Sequence, residues 1–348
     1  VLRLRDACLA ATEETGRQLW GPARFAAYRV ALDAPAELAA AMLEPGVVRF
    51  GLGPLTEVVA QHHRFADLAP HLDSSLLAVV AQERVLRGED LREDADAAAA
   101  LADSGAEVPL VLQPFEPAYT LPEYRADTRI DGGFVLPDDA WAALAAEAGP
   151  STAADAPVIA PGGRAAALER VLHDAIEPWL SGSDGAAELV TVCGGADDAA
   201  RALLGRLARA HGDATLERRA IEAAQLLGLV AFAAASGGVH GRRRGAAAGR
   251  ASAWWLARTA TGLDGAGSDD PAGIGQDAID ELEFRLEDLE LVALRSPREA
   301  AWRLELAIAD PTAEWAVAIA AFDLTDPDTD DPDSDPDSDA AQEAHDVR

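Results

Sequence analysis

Between Thr215 and Leu263 the chain reads TLERRAIEAAQLLGLVAFAAASGGVHGRRRGAAAGRASAWWLARTATGL, and this stretch limits the possible folds more than any other. Its pattern predicts two apolar helices broken at Ser236-Gly237-Gly238. The first is expected from Thr215 to Ala235, with Thr215 as N-cap and Glu217 in the first turn, where negative charge suits the helix dipole. From Ala223 to Ala235 only Gln225 is polar, so this half prefers water on no face and must be buried all round. The run is too short to span a bilayer, and Arg242, Arg243 and Arg244 follow at once, so a core helix is expected and no membrane segment.

In the second helix Gly237, Gly241, Gly245 and Gly249 recur every four residues, and Ala253 and Ala257 continue the row. On a helix such a row is one ridge, and removing its side chains lets another backbone come close. Each glycine costs about 1 kcal/mol of helix propensity relative to alanine, so close packing is the expected reason for them. Arg243, Arg250 and Arg258 fall seven or eight residues apart, which is expected to put them on one face of this helix. Trp254 and Trp255 point about 100° apart, so at least one is expected in the core.

The same break suggests an anion site. A Gly-Gly turn, free N–H groups at a helix start, and guanidinium groups nearby suit phosphate or carboxylate. The candidate residues are Ser236, His240, Arg242, Arg243 and Arg250, with His240 able to act as acid or base. The bland reading pairs these arginines with some of the many acidic residues.

Phe232 to Gly238, then Gly249-Arg250-Ala251-Ser252-Ala253-Trp254, together with the Pro-rich region Val108 to Val135, resemble the signature of a bacterial family catalogued as domain of unknown function 6183. The similarity spreads over roughly the later two thirds of the chain. It implies an intracellular bacterial protein and supplies no catalytic residue. The Arg242-Arg243-Arg244 triplet lies outside the resembling positions.

A net charge of −31 argues against nucleic acid and anionic membranes as partners. All 29 basic residues are arginine, as a GC-rich coding sequence would give. Cys8 and Cys193 stand too far apart in sequence for a disulfide framework, and Leu2 to Ala10 carries Arg3, Arg5 and Asp6, unlike a signal segment. A cytoplasmic setting is therefore expected.

Residues 1–105 read as short helices, many starting at proline: Leu2 to Leu19, Pro22 to Leu32, Pro35 to Leu43, Pro54 to Leu68, Ser74 to Leu86 and Glu89 to Ala102. A bundle or short solenoid fits them. His63, Asp67 and His71 have ligand-like spacing, as do Glu169, His173 and Glu177, but Pro70 disrupts the first set and a polar helix face explains both; no metal and no cofactor is expected.

From 106 to 162 a Pro-rich segment wraps the domain, with strands expected at Val108 to Leu112 and Arg129 to Leu136, and a helix at Asp138 to Ala148. A helix follows at Arg164 to Leu180. The strand Glu188 to Cys193, its Gly194-Gly195 turn and the helix Asp197 to His211 resemble a phosphate-binding unit. They lack its Gly-Lys fingerprint, and Asp197 and Asp198 would repel an anion.

Gln276 to Asp288 predicts a helix, and Leu289 to Arg295, Trp302 to Ala309 and Glu314 to Leu324 predict three strands, the last two joined by the Asp310-Pro311-Thr312-Ala313 turn. The helix pair is the expected cover for one face of this sheet. Residues 326–348 carry ten acids and one arginine, which predicts a disordered tail.

The fold class expected is α+β: an N-terminal helical bundle or short solenoid (1–105), a wrap and linker (106–162), a helix-on-antiparallel-sheet domain (163–325) and the tail (326–348). Function is expected to be non-catalytic, an interaction or scaffold protein with a protein partner. The alternative is an anion binder or an enzyme on a small anionic substrate at the Ser236–Arg250 break.

Overall fold

A computed structural model of the chain describes residues 29, 32–43, 55–105, 108–117, 119, 123–124, 130–131, 141–144, 163–212, 215–238, 243–263, 275–298 and 302–323. The helices expected before residue 29, the acidic tail, His240, Arg242 and Gly241 lie outside the described residues.

The fold is α+β, with a six-stranded antiparallel sheet in the order β3-β5-β6-β7-β8-β4. Its strands are β3 (Ala142–Leu144), β4 (Ala186–Val192), β5 (Leu216–Ala220), β6 (Glu290–Arg295), β7 (Trp302–Asp310) and β8 (Trp315–Asp323). A two-stranded ribbon pairs β1 (Glu123–Tyr124) with β2 (Ile130–Asp131). The expected β7–β8 hairpin is present, its turn held by the N–H groups of Thr312 and Ala313 donating to Asp310 Oδ1.

Both faces of the sheet are covered. Trp302, Leu304, Leu306 and Ile308 of β7, with Val317 and Ile319 of β8, face α6 (Gly163–Gly182), α8 (Ala223–Ala235) and α9 (Ala246–Thr261). On the other face Ala307, Ala309, Ala316, Ala318 and Ala320 meet α7 (Ala196–His211). The alternation in β8 is therefore large against small, not apolar against polar: alanines let α7 settle close, while valine and isoleucine fill the deeper helix layer. The helix pair covers one face as expected, and the second cover, not anticipated from the sequence, buries Glu305, whose Oε1 accepts from Ser296 N at 3.0 Å.

Four local expectations also change. Thr215 to Glu222 does not open a helix: residues 216–220 form β5, because Glu217 stands opposite Arg295 of β6 and pairs with it, while Arg218 pairs with Asp197. Cross-strand partners here outweigh local capping signals. Residues 142–144 are an edge strand on β5, not part of a helix, and Val108 to Leu112 is irregular backbone whose carbonyls are used elsewhere. The helix expected from Glu89 starts at Ala95, where Asp94 caps it by accepting from Asp96 and Ala97 N–H.

Helix α8 is largely buried from Leu226 on, with its first turn half-buried, and α9 packs against it. Gly237 and Gly245 are not on α9, which begins only at Ala246. The chain returns to α8 before that point, with Arg244 and Gly245 N–H both donating to Ala235 O at 2.9 and 3.0 Å. At Gly249 the two helix backbones come close: an added Cβ would overlap the Ala231 carbonyl oxygen and lie 3.0 Å from Ala235 Cβ. Outside this pair, α10 (Gln276–Glu287) completes a small core with Trp254, Ile279, Leu282 and Leu286.

Upstream lie α1 (Ala36–Ala40), α2 (Leu55–His62), α3 (Phe65–Leu68), α4 (Ser74–Val85) and α5 (Ala95–Ser104). They share a separate core built on Val59, Phe65, Leu68, Val80 and Val85. Among the described residues no helix is long and apolar enough to cross a membrane.

Candidate functional site

The N-terminal helices meet the sheet domain through charged groups. A helix start leaves backbone N–H groups without intrahelical acceptors. At α9 two carboxylates from the other core supply them: Glu57 of α2 accepts from Ala246 N at 3.0 Å, and Glu83 of α4 accepts from Ala247 N at 2.9 Å. Arg243 Nη2 pairs with Glu57 Oε2 at 3.1 Å, and Arg87 Nη1 with Glu83 Oε2 at 2.8 Å. The negative charges thus sit at the positive end of the helix dipole and are neutralised from the side.

Arg250, one turn further along α9, is fully buried. Its Nε and Nη2 donate to the two oxygens of Glu116 at 2.7 Å each, a bidentate fork. Nη1 donates to Gln82 Oε1 and to Pro109 O at 2.8 Å, and Nη2 also to Val111 O at 3.1 Å. All five guanidinium hydrogens are therefore used. Glu116 further accepts from the Tyr119 hydroxyl at 2.6 Å and from Gln113 N at 2.9 Å. One side chain thereby ties together α9, α4 and the 108–119 segment.

The titration of these acids follows from their surroundings. For Glu116 burial is the largest influence and raises its pKa, but the Arg250 fork and charge, with Tyr119 and Gln113, outweigh it and leave the pKa below the usual carboxylate value. Burial, then the Glu116 charge, push the Tyr119 phenol well above its usual value, so it stays a neutral donor. Glu57 is pushed above the ordinary 4.5 by burial and then by Glu83, against Arg243, Ala246 N–H and Arg87.

The two signs oppose. Between 4.5 and its raised folded value Glu57 binds more proton when folded, so its contribution to stability falls as pH rises through that window. Glu116 contributes stability above 4.5 that is lost as pH falls toward its lowered value. Glu57→Gln removes the first slope only. In urea titrations from pH 4 to 7, the variant is expected to gain stability relative to the native chain as pH rises from 4.5, then level off. A constant difference across that range would contradict the assignment.

Of the residues singled out from sequence, Arg243 and Arg250 lie seven residues apart but serve different carboxylates. Ser236 is fully buried, accepting from Trp179 Nε1 at 2.7 Å and donating to Ala233 O at 2.9 Å. His240 and Arg242 lie outside the described residues. Sequence reasoning missed Glu57, Gln82, Glu83, Glu116 and Tyr119. The available signal was acid set among apolar residues, as in Leu55-Thr56-Glu57-Val58-Val59 and Val79-Val80-Ala81-Gln82-Glu83. At the α7 start the N–H groups of Gly195 and Ala196 donate to Asp198 and Glu290, so carboxylates already occupy the position a phosphate would take.

A cleft of about 530 Å³ opens beside this junction. Its floor is Ile221, Leu289 and Leu291, and its walls carry Glu222, Glu283 and Glu287. Phe115 and Pro114 form one rim. Phe115 packs on Trp254 with ring centroids 5.6 Å apart, and its neighbour Glu116 is the carboxylate held by Arg250. The arginine latch therefore fixes the cleft's edge. Beside the cleft Phe284 of α10 is 62% exposed.

The sequence model of a family described as "Family of unknown function (DUF6183)" matches residues 1–326. No curated protein and no solved structure matches the chain.

Proposed function

Because the chain belongs to the DUF6183 family, whose function is unknown, we propose from its own residues that it is a non-catalytic interaction or scaffold protein. The observation that supports this reading is how its polar and apolar groups are spent. Arg243 and Arg250 are committed to Glu57 and Glu116 inside the protein, whereas a cleft with an apolar floor and carboxylate walls lies beside an exposed phenylalanine. Uncovered apolar area next to a shaped cleft is the usual mark of a surface that receives another molecule.

In this reading the N-terminal helices form a bundle or short solenoid fixed to the sheet domain by the carboxylates at α9. A protein is the partner that fits, since −31 net charge repels nucleic acid and anionic lipid. The cytoplasm is the proposed setting, where the exposed free thiol of Cys193 stays reduced. An anion held by Arg243 or Arg250 would have to displace a buried carboxylate and leave it unpaired, which is costly.

The test places a photoreactive benzoylphenylalanine at position 284 in the full chain, expressed in its own host. Irradiation is expected to give a discrete heavier protein adduct. The same probe at Arg209, on α7 across the sheet, is expected to give none. Equal labelling at both positions, or none at 284, would remove the reading.

A further inference from the structure

We propose that the cleft between α8 and α10 receives a segment of another protein that presents arginine or lysine beside large apolar side chains. This deepens the interaction reading and rests on it. The cleft combines two chemistries that few ligands satisfy together. Its floor of Ile221, Leu289 and Leu291 rewards an apolar side chain. Its walls, at Glu222, Glu283 and Glu287, are anionic, and among the described residues no cation lines it.

The neighbouring surface repeats the pattern. Phe284 is exposed, and on a helix its neighbours three and four positions away are Asp280, Glu281, Glu287 and Asp288. Residues 276–288 contain six acids against Arg285, and that arginine is already engaged by Glu281 at 2.6 Å and by the Thr261 carbonyl at 3.1 Å. An aromatic ringed by carboxylates beside an acid-walled apolar cleft complements a cationic and apolar segment.

The same charges decide against the other occupants. A second copy docking through this face about a two-fold axis would set like patch against like patch, with its carboxylates opposed. A bare divalent cation gains nothing from the apolar floor. Nucleic acid and anionic membranes are repelled by the walls.

The experiment selects binders to the full chain from a displayed library of random twelve-residue peptides. Recovered sequences are expected to place arginine or lysine next to leucine, isoleucine, phenylalanine or tryptophan. A synthetic peptide from that set is expected to bind at least tenfold more weakly to the Glu283→Gln/Glu287→Gln chain, whose unfolding midpoint should be unchanged because both sites lie at the surface. Binding is also expected to fall between 50 and 500 mM salt.

Recovered peptides without cationic enrichment, or equal binding to the double variant, would overturn the proposal. If such neutral peptides are blocked by Phe284→Ser, the interaction reading stands while the cationic occupant falls. A dimer abolished by Phe284→Ser would also overturn it in favour of self-association. No recovered peptide and no adduct at position 284 would remove both.

Discussion

Arg250→Leu is expected to lower the unfolding free energy by about 3–5 kcal/mol, the usual cost of breaking a buried ion pair from one side. The change leaves Glu116 as a buried carboxylate facing no cation, and it strips the Pro109 and Val111 carbonyls and the Gln82 side chain of a donor. A domain is typically stable by only about 5–15 kcal/mol, so the variant should show a lower urea midpoint and faster proteolysis in the 108–119 segment. Arg250→Met combined with Glu116→Leu is expected to recover much of the loss, since an apolar pair needs no solvation. Recovery should be incomplete because Tyr119 OH and Gln113 N lose their acceptor. A loss below about 1 kcal/mol for the single variant would mean that water or another group can replace the guanidinium.

The second large effect is a matched pair of glycine substitutions with opposite signs. Gly205 on α7 has nothing nearer than Arg209 Nη1, 3.9 Å from an added Cβ, so Gly205→Ala should gain about 0.5–1 kcal/mol from helix propensity. At Gly249 the same gain is opposed by the Ala231 carbonyl, which is backbone and cannot swing aside. Overpacking of this kind costs about 1–3 kcal/mol, so Gly249→Ala should be a net loss and Gly249→Leu a severe one. Urea unfolding of the three variants reads the sign directly. Stabilisation by Gly249→Ala would show that α8 and α9 are not held at this distance.

How much of this was legible beforehand depended on whether the cause was local. The run Ala223 to Ala235, polar only at Gln225, pointed to core, and the four-residue glycine row pointed to a near approach that the structure places at Gly249. The β7 alternation and the Asp310 turn were sufficient to place the hairpin. What the sequence concealed was supplied by distant partners. Nothing near Thr215 announces that Glu217 will meet Arg295, and β8 shows an alanine face without saying that α7 will cover it. The candidate site divides in the same way. Arg243 and Arg250 stood out as cations in an apolar helix, but their acids lie 186 and 134 residues earlier, and no spacing rule reaches that far.

The carboxylate clasp at α9 also has a consequence for synthesis. Glu57 is made 189 residues before the Ala246 N–H that it accepts from, which at about 5–20 residues per second is a delay of roughly 10–40 s. During that interval the nascent N-terminal helices hold Glu57 and Glu83 with the ribosome-bound chain still lacking the helix end they serve. Hydrated acids on that face would keep it from associating with other chains until α9 arrives, so the groups that later close the junction first act as its temporary solubilising coat.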